Sequence, residues 1–249
     1  MSESLPIAEI FSSIQGEGYL AGRRQIFIRL TRCNLECSYC DTGFGEGESC
    51  LVENSPGSNV FEHFPRAVGL DRLMDILNAW TWALPRAHHS ISLTGGEPLL
   101  FAPLLSDWLP RLRGILPVHL ETNGTLPIEL GRIIRLVDYV SMDMKLPSTA
   151  ACGGELWDTH RRFLETARGK NVSVKIVVGE QSDAAEIEQV CRIIAQIRPD
   201  TPLFLQPLSL PDSHCGISAA HLLHLQALAA ARLSDVRVIP QMHKLMGVL

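Results

Sequence analysis

Short β-rich segments alternate with longer amphipathic segments along most of this chain, and this alternation restricts the folds open to it. The predicted strands are residues 25–30, 90–93, 118–121, 139–142, 172–178, 202–206 and 236–239. Between them, apolar residues recur at helical spacing, most clearly over residues 70–80, 187–197 and 218–232. Strands that alternate with helices predict βαβ units, whose right-handed crossovers would curl a parallel sheet into an open or partial barrel. We therefore expect an α/β fold, a partial (β/α) barrel of parallel strands with outer helices.

The length of 249 residues fits one domain over residues 1–249, with one interruption. Residues 43–65 contain four Gly and two Pro and show little periodicity. We interpret about 43–67 as an irregular insertion that serves as a lid or a dimer contact. A further strand at residues 7–11 and a tight turn at 15–18 would precede the first parallel strand.

Composition narrows the range of partners. The net charge is −5 and no run of Lys or Arg forms a basic stripe, so nothing favours nucleic-acid binding. The first residues lack the basic start and apolar core of a signal peptide. No apolar stretch approaches the roughly 18 residues that a membrane span needs. We expect a cytoplasmic protein that binds neither nucleic acid nor membranes.

Three of the seven cysteines, Cys33, Cys37 and Cys40, fall within eight residues of sequence. Disulfides are rare in the cytosol, so this group indicates a metal site. Three thiolates would hold a [4Fe–4S] cluster and leave one iron open to chelate S-adenosyl-L-methionine, whose reductive cleavage yields a 5′-deoxyadenosyl radical. Residue types alone leave two alternatives open, a structural zinc site completed by Cys50 or His63 and a polar loop without metal.

Polar and glycine-rich residues follow the predicted strands, where parallel α/β folds place their active sites. The cysteines follow the first parallel strand, and residues 94–98 (TGGEP) follow the second. The backbone amides of Gly95 and Gly96 and the carboxylate of Glu97 would suit a ligand with ammonium and carboxylate groups. Taken alone, the same segment also fits an ordinary strand-to-helix turn.

Two levels of resemblance to known proteins follow from these motifs. Residues 33–40 (CNLECSYC) resemble the cysteine motif of the radical S-adenosylmethionine superfamily, and TGGEP resembles its methionine-binding turn. A narrower resemblance, to the 7-carboxy-7-deazaguanine synthase family, rests on SSIQGEG at 12–18, FIRL at 27–30, CDT at 40–42, SMDMKLPS at 141–148, LQPL at 205–208 and QMHKLMG at 241–247. The resemblance implies a partial barrel of the radical S-adenosylmethionine type and leaves residues 43–67 without a counterpart.

The narrower resemblance implies a lyase of 7-deazapurine and queuosine biosynthesis. Such an enzyme contracts 6-carboxy-5,6,7,8-tetrahydropterin to 7-carboxy-7-deazaguanine with loss of ammonia, and S-adenosylmethionine is regenerated. The family also implies Mg²⁺, a homodimer and an electron donor such as flavodoxin or ferredoxin. A glycyl-radical-enzyme activase and a non-catalytic zinc-binding module are the competing interpretations.

Site residues follow from the same resemblance. The cluster ligands would be Cys33, Cys37 and Cys40, and the Mg²⁺ ligand would be Thr42. The expected contacts to the pterin substrate are Ile14, Gln15, Gly16, Glu17, Arg29 and Thr94. The expected contacts to S-adenosylmethionine are Tyr39, Gly96, Glu97, Ser141, Asp143, Lys145 and Gln206. Two further residues match the family pattern without an assigned role, His243 and Lys244.

Overall fold

The structure is a computed structural model that describes residues 4–40, 49–151, 156–210 and 214–249. Its strands are β1 Ser4–Ile14, β2 Arg24–Leu30, β3 Ser49–Glu53, β4 Phe61–Pro65, β5 Ala67–Gly69, β6 Ser90–Gly95, β7 Val118–Thr122, β8 Tyr139–Asp143, β9 Asn171–Val178, β10 Leu203–Pro207 and β11 Val236–Val238. Its α-helices are α1 Leu70–Ala83, α2 Ala102–Arg113, α3 Pro127–Ile133, α4 Pro147–Ala150, α5 Trp157–Ala167, α6 Ala184–Ile197, α7 Ala219–Ala230 and α8 Met242–Met246.

The strands of these described ranges form one sheet in the order β11-β10-β9-β8-β7-β6-β2-β1-β3-β4, with β5 paired to β1. The run from β2 through β6 to β11 is parallel throughout. These strands correspond to the seven predicted from the alternating pattern, so the α/β fold with parallel strands and outer helices is confirmed. The predicted helices are confirmed as α1, α6 and α7. Asp183 caps α6 by accepting a hydrogen bond from the Glu186 amide at 2.9 Å.

The alternation of side chains along each strand explains why polar residues collect on one face of the sheet. In β7, Val118 and Leu120 belong to the apolar core, so the intervening His119 and Glu121 face the opposite side. The same period places Ile26 and Ile28 of β2, Val140 and Met142 of β8, and Val174 and Ile176 of β9 in the core under the helices. The other face of each strand carries the polar residues from which a site can be built.

The N-terminal part of the chain differs from the expectation. The strand expected at 7–11 runs from Ser4 to Ile14 and pairs antiparallel with β2. Part of the segment interpreted as an irregular insertion is regular, because β3 and β4 form an antiparallel hairpin whose first strand pairs with β1. Only Cys50 and Val52 alternate into the core there, too short a pattern to stand out in a Gly- and Ser-rich segment. Residues 43–48 of the predicted insertion lie outside the described residues.

A membrane-spanning helix was not expected. Among the helices described, none combines the length and the apolar character needed to cross a bilayer.

Candidate active site

A cavity of about 500 Å³ lies on the polar face of the sheet, and strands β1, β2 and β6 to β10 contribute to its wall. Nearly all of the site residues expected from sequence line it: Ile14, Gln15, Gly16, Glu17, Arg29, Cys33, Cys37, Tyr39, Cys40, Thr94, Gly96, Ser141, Asp143, Lys145, Gln206, His243 and Lys244. Thr42, the expected Mg²⁺ ligand, lies outside the described residues. Glu97 is described and does not reach the cavity.

The three clustered cysteines lie on the loop that follows β2. Cys33 and Cys37 are half-buried and Cys40 is exposed. The loop is tied to the end of α4, because Ser38 donates through its amide to Ala150 O at 2.9 Å and through its hydroxyl to Thr149 O at 2.6 Å. Within the described ranges, no group of three or more His, Cys, Asp or Glu side chains is gathered around one metal position. The set of donors nevertheless fits a [4Fe–4S] cluster, because three thiols face one cavity from a single loop.

The turn after β6 is hydrogen-bonded to the beginning of the cysteine loop. The Gly96 amide donates to Leu30 O at 3.0 Å, and the Glu97 amide donates to Arg32 O at 2.6 Å. Gly95 has a φ of +107°, a backbone conformation that residues other than glycine rarely adopt. The two glycines thus bring the backbone of the turn against the loop that carries the cysteines.

Glu97 lies beneath this turn and has no exposed surface. Its carboxylate accepts hydrogen bonds from the amides of Leu99 at 3.0 Å and Asn123 at 2.7 Å, and from the Thr122 hydroxyl at 2.9 Å. Burial raises the pKa of Glu97 to about 7, and these donors act against that rise. The carboxylate therefore joins the turns after β6 and β7, and it does not line the cavity.

A network of charged groups forms the floor of the cavity. Lys175 Nζ lies 2.5 Å from Glu17 Oε2 and 3.1 Å from Asp143 Oδ2. Lys145 Nζ lies 3.0 Å from the same Asp143 oxygen and donates to the Tyr39 hydroxyl at 3.0 Å. Asp143 and Lys175 are register partners on neighbouring strands, so the sheet itself brings them together.

Burial and the opposite charges act against each other on these groups. Burial alone would raise the pKa of Asp143, but Lys145 and Lys175 outweigh it and lower this pKa to about 2. Burial also acts to raise the pKa of Glu17, yet the charge and hydrogen bond of Lys175 lower it. Burial and Asp143 raise the pKa of Tyr39. At neutral pH the network therefore holds two carboxylates, two ammonium groups and a neutral phenol.

The Gln15–Gly18 segment forms a turn that contacts the polar face of the sheet. Gln15 Oε1 accepts from the Glu17 amide at 3.0 Å, and Gln15 Nε2 donates to Glu121 Oε1 at 2.9 Å. The same Glu121 oxygen accepts from the Ser92 hydroxyl at 2.6 Å. Gln15 is therefore held rigidly, with Glu121 beside it on the cavity wall.

Arg29 lies on β2 with its side chain partly exposed to the cavity. Its Nε donates to Glu9 Oε2 at 3.1 Å, and its guanidinium carbon lies 5.4 Å from the centre of the Phe11 ring. Glu9 occupies the Nε edge of the guanidinium and Phe11 covers one of its faces. The two terminal Nη groups are the part of the guanidinium that can bind an anion in bidentate fashion.

The C-terminal segment covers the Gln15–Gly18 turn. The Met242 amide donates to Gly16 O at 3.1 Å, and Gln241 Nε2 donates to Glu17 Oε1 at 2.8 Å. His243 packs so closely that a Cβ atom on Gly16 would lie 2.1 Å from its Nδ1 atom. His243 and Lys244 thereby close one side of the cavity.

Two buried oxygen atoms on the cavity wall have no hydrogen-bond partner among the described residues, Gln206 Oε1 and Asp143 Oδ1. An unsatisfied buried acceptor costs free energy, so these atoms fit a bound group that donates hydrogen bonds. S-adenosylmethionine carries an ammonium group and ribose hydroxyls that can do so.

The sequence analysis assigned no role to three residues that line the cavity, Glu121, Asn123 and Lys175. Asn123 Nδ2 lies 3.8 Å from Cys33 Sγ and donates to Asn34 Oδ1 at 2.8 Å, so it supports the cysteine loop. Glu121 and Asn123 lie at the end of β7, whereas Lys175 lies within β9. Charged and amide side chains on the polar side of parallel strands mark such positions in the sequence, but this signal alone does not assign a role.

The chain matches the family model described as the Radical SAM superfamily over residues 27–194. In solved structures, the crystal structure of QueE from Escherichia coli is similar with a TM-score of 0.54 at 21% identity, covering 96% of this chain and 94% of that one. A radical SAM methyltransferase from Sphaerobacter thermophilus is similar with a TM-score of 0.55 at 18% identity, covering 88% and 66%. At these identities the structures support the fold alone.

The relatives found by sequence identify the family more narrowly than the solved structures do. A protein of Geobacter sulfurreducens named 7-carboxy-7-deazaguanine synthase is 48% identical over 244 residues, covering 98% of this chain and 97% of the relative. A protein of the same name from Methanothermobacter thermautotrophicus is 34% identical over 261 residues, covering 98% and 97%. With the cysteine loop, the glycine turn and the charged cavity in the arrangement described above, the chain belongs to the radical S-adenosylmethionine superfamily and, within it, to the family of the 7-carboxy-7-deazaguanine synthases.

Proposed function

We propose that this protein converts 6-carboxy-5,6,7,8-tetrahydropterin to 7-carboxy-7-deazaguanine and ammonia, as a lyase of 7-deazapurine biosynthesis. The observation that carries the proposal is that Arg29, the Gln15–Gly18 turn and the three cysteines open on one cavity. This combination suits a small carboxylated substrate held next to a cluster. The family names of the relatives favour this reading over a glycyl-radical-enzyme activase, and the superfamily match disfavours a zinc-binding module.

Cys33, Cys37 and Cys40 would hold the [4Fe–4S] cluster. When bound, the cluster and S-adenosylmethionine supply the one-electron reduction and the hydrogen-atom abstraction that the ring contraction needs. The residues proposed to bind S-adenosylmethionine are Tyr39, Gly96, Ser141, Asp143, Lys145 and Gln206. For Glu97 we propose an indirect role, since its carboxylate supports the turn from below.

The pterin is proposed to lie between the Gln15–Gly18 turn and Arg29. The Arg29 fork would pair with the substrate carboxylate, and Ile14, Gly16, Glu17 and Thr94 would bound the ring. Because Glu17 is ionised and anchored by Lys175, its carboxylate is suited to accept hydrogen bonds from a pterin N–H edge. We propose Mg²⁺, held by Thr42 and the substrate, as a further component.

The partners follow as proposals of the same kind. The reaction needs an external one-electron donor, for which a flavodoxin or ferredoxin is suitable. We also propose a homodimer, and a location in the cytoplasm together with the other enzymes of small-molecule biosynthesis.

The direct test is an anaerobic assay of the reconstituted protein with the carboxylated pterin, S-adenosylmethionine and a reductant, with and without Mg²⁺. The expected product is lighter than the substrate by one ammonia, and its formation should depend on the cluster. Arg29→Met should raise the KM for the pterin at least tenfold, whereas Arg132→Met, on the exposed face of α3, should leave it unchanged. A brown, cluster-loaded protein that forms no such product would refute the proposal.

A further inference from the structure

Two buried polar side chains connect the Gln15–Gly18 turn to Ser141, and the proposed function uses neither of them. Gln25 on β2 has no exposed surface, and His119 on β7 is 1% exposed. Buried amide and imidazole groups are costly unless each polar atom is paired, so the direction of every hydrogen bond between them is constrained. Those directions can be followed from one end of the chain of contacts to the other.

The chain of hydrogen bonds begins at a group whose direction is certain. The Glu17 backbone amide can only donate, and it lies 3.0 Å from Gln15 Oε1. The other end of that side chain, Gln15 Nε2, therefore donates, and Gln25 Oε1 accepts it at 3.1 Å. The orientation of the first amide thus determines the orientation of the second.

The orientation of the Gln25 amide in turn determines which group donates to the imidazole of His119. With its oxygen facing Gln15, its Nε2 donates to Ser90 Oγ at 2.6 Å and to His119 Nδ1 at 3.3 Å. Ser92 Oγ also lies 3.2 Å from that ring nitrogen, but its hydrogen is directed at the Glu121 carboxylate, 2.6 Å away. The His119 Nδ1 atom is therefore an acceptor.

The ring proton of His119 then resides on Nε2. Burial lowers the pKa of His119, with a smaller opposing effect from Glu121 and a smaller lowering effect from His89, so the ring is neutral at pH 7. A neutral ring that accepts at Nδ1 must donate at Nε2, and Ser141 Oγ lies 2.8 Å from that atom. Since Ser141 receives this hydrogen bond, its own hydroxyl hydrogen is left to point elsewhere, and Ser141 lines the cavity.

We propose that Gln25 and His119 are positioning residues, which hold the Ser141 hydroxyl as a hydrogen-bond donor toward S-adenosylmethionine through a one-way chain of hydrogen bonds starting at the Glu17 amide. This inference rests on the proposed function, because it takes Ser141 as a contact to that molecule. The chain starts in the turn assigned to the pterin, so it also couples the two halves of the cavity.

A positioning role for Gln25 and His119 differs from a purely structural role because it depends on the direction of the hydrogen bonds. A residue that only fills space would change stability when replaced, and it would not distinguish isosteric donors from acceptors. Gln25→Glu keeps the shape and presents an acceptor to His119 Nδ1. The ring proton should then move to Nδ1, and Ser141 would have to donate to Nε2 instead of to its ligand.

The experiment measures the Kd for S-adenosylmethionine anaerobically on cluster-loaded protein, by equilibrium dialysis, together with cluster content, Tm and turnover. We expect Gln25→Glu and His119→Asn to weaken binding about tenfold, while His119→Gln, whose amide reaches the Nε2 position, stays within about threefold of the wild type. In a Ser141→Ala background, His119→Asn should have no further effect on the Kd.

An unchanged Kd in Gln25→Glu at wild-type cluster content would overturn the proposal, and so would equal losses in His119→Gln and His119→Asn. Should Gln25→Glu or His119→Asn fail to fold, Gln25→Met decides, because it is neutral, keeps the length of the side chain and removes the donor to His119 Nδ1; an unchanged Kd in this variant would equally overturn the proposal. Failure of the proposed function is separate: in that case the wild type itself would form no deazaguanine product.

Discussion

Gly96 and Arg32 are packed so closely that a Cβ atom on Gly96 would lie 1.8 Å from the Arg32 carbonyl oxygen. The obstacle is backbone, which cannot rotate away as the end of a side chain can. The turn after β6 and the cysteine loop are therefore held at a spacing that only glycine allows. Because Cys33 follows Arg32 directly, any displacement there moves a proposed cluster ligand.

Gly96→Ala should accordingly damage the cluster site as well as the fold. We expect a loss of about 1–3 kcal/mol in the free energy of unfolding, from forced displacement of the packed backbone. We also expect reduced iron and sulfide per chain after reconstitution. Chemical denaturation and metal analysis would measure the two effects.

Gly131→Ala is the matched control for this substitution. A Cβ atom at Gly131 meets nothing within 4 Å, and the residue lies in α3. Alanine there should stabilise the protein by about 0.5–1 kcal/mol, because glycine loses more backbone freedom in a helix. Wild-type iron content in Gly96→Ala would contradict the proposed dependence of the cysteine loop on this contact.

Lys175→Met should change the pH dependence of the reaction. In the wild type, Lys175 lowers the pKa of Glu17 and, together with Lys145, holds that of Asp143 at about 2, against the effect of burial. Without the Lys175 ammonium group both pKa values rise, although Asp143 keeps its contact with Lys145 whereas Glu17 loses its ion pair. We expect kcat/KM to fall at least tenfold near neutral pH, and an acidic limb to appear in its pH profile at a higher pH than in the wild type.

Lys170→Met is a suitable control for that experiment. Its ammonium group donates to the Arg135 carbonyl at 3.4 Å in an exposed contact and interacts with Asp138, and Lys170 does not line the cavity. It should leave both kcat/KM and the pH profile unchanged. A Lys175→Met enzyme whose profile superimposes on that of the wild type would indicate that the carboxylates do not depend on this lysine.

Sequence patterns predict the parallel part of the sheet well because burial imposes a regular signal there. In β7 and β9, every second residue must be apolar to pack under the helices, as Val118 and Leu120 do. The same rule makes the polar residues between them candidates for the cavity. It places Glu121 and Lys175 on that face, but it does not predict what they contact.

Other features depend on contacts between distant segments, which a local pattern does not contain. The expected role of Glu97 in contacting a ligand came from its place in a motif, whereas its environment is set by Asn123, far along the chain. Similarly, the pairing of β3 with β1 depends on a chain reversal that a Gly-rich segment does not reveal. The hydrogen bonds of Glu97 and the pairing of β3 with β1 are therefore seen only in the three-dimensional structure.

Gly16→Ala should loosen the C-terminal cover of the cavity. The new Cβ atom would lie 2.6 Å from the His243 amide nitrogen, so the start of α8 must move away from the turn. We expect faster hydrogen exchange in residues 241–247 and a KM for the pterin raised about tenfold. Gly169→Ala, where a Cβ atom meets nothing within 4 Å, should alter neither quantity. Unchanged exchange in Gly16→Ala would show that α8 does not depend on this contact.

His160 should make the stability of the protein sensitive to mild acid. Its Nε2 accepts from the Lys145 amide at 3.0 Å, and its Nδ1–H donates to Gly124 O at 3.1 Å. Nε2 can accept only in the neutral ring, and burial lowers the pKa of His160 to about 4 from its usual 6.5, against the Gly124 hydrogen bond. Between these values the unfolded chain binds a proton that the folded protein does not. Stability should therefore fall as the pH drops from about 6.5 toward 4, and be independent of this group above 6.5.

Comparison with His160→Gln isolates this contribution. Lowering the pH from 7.5 to 5 should destabilise the wild type by about 2 kcal/mol more than the variant, because only the wild type carries this histidine. Other buried histidines, such as His88, titrate equally in both proteins and cancel in the difference. Urea denaturation at the two pH values gives the four free energies of unfolding. Equal losses in both proteins would mean that the ring is protonated in the folded state, and the Lys145 backbone would then need another acceptor.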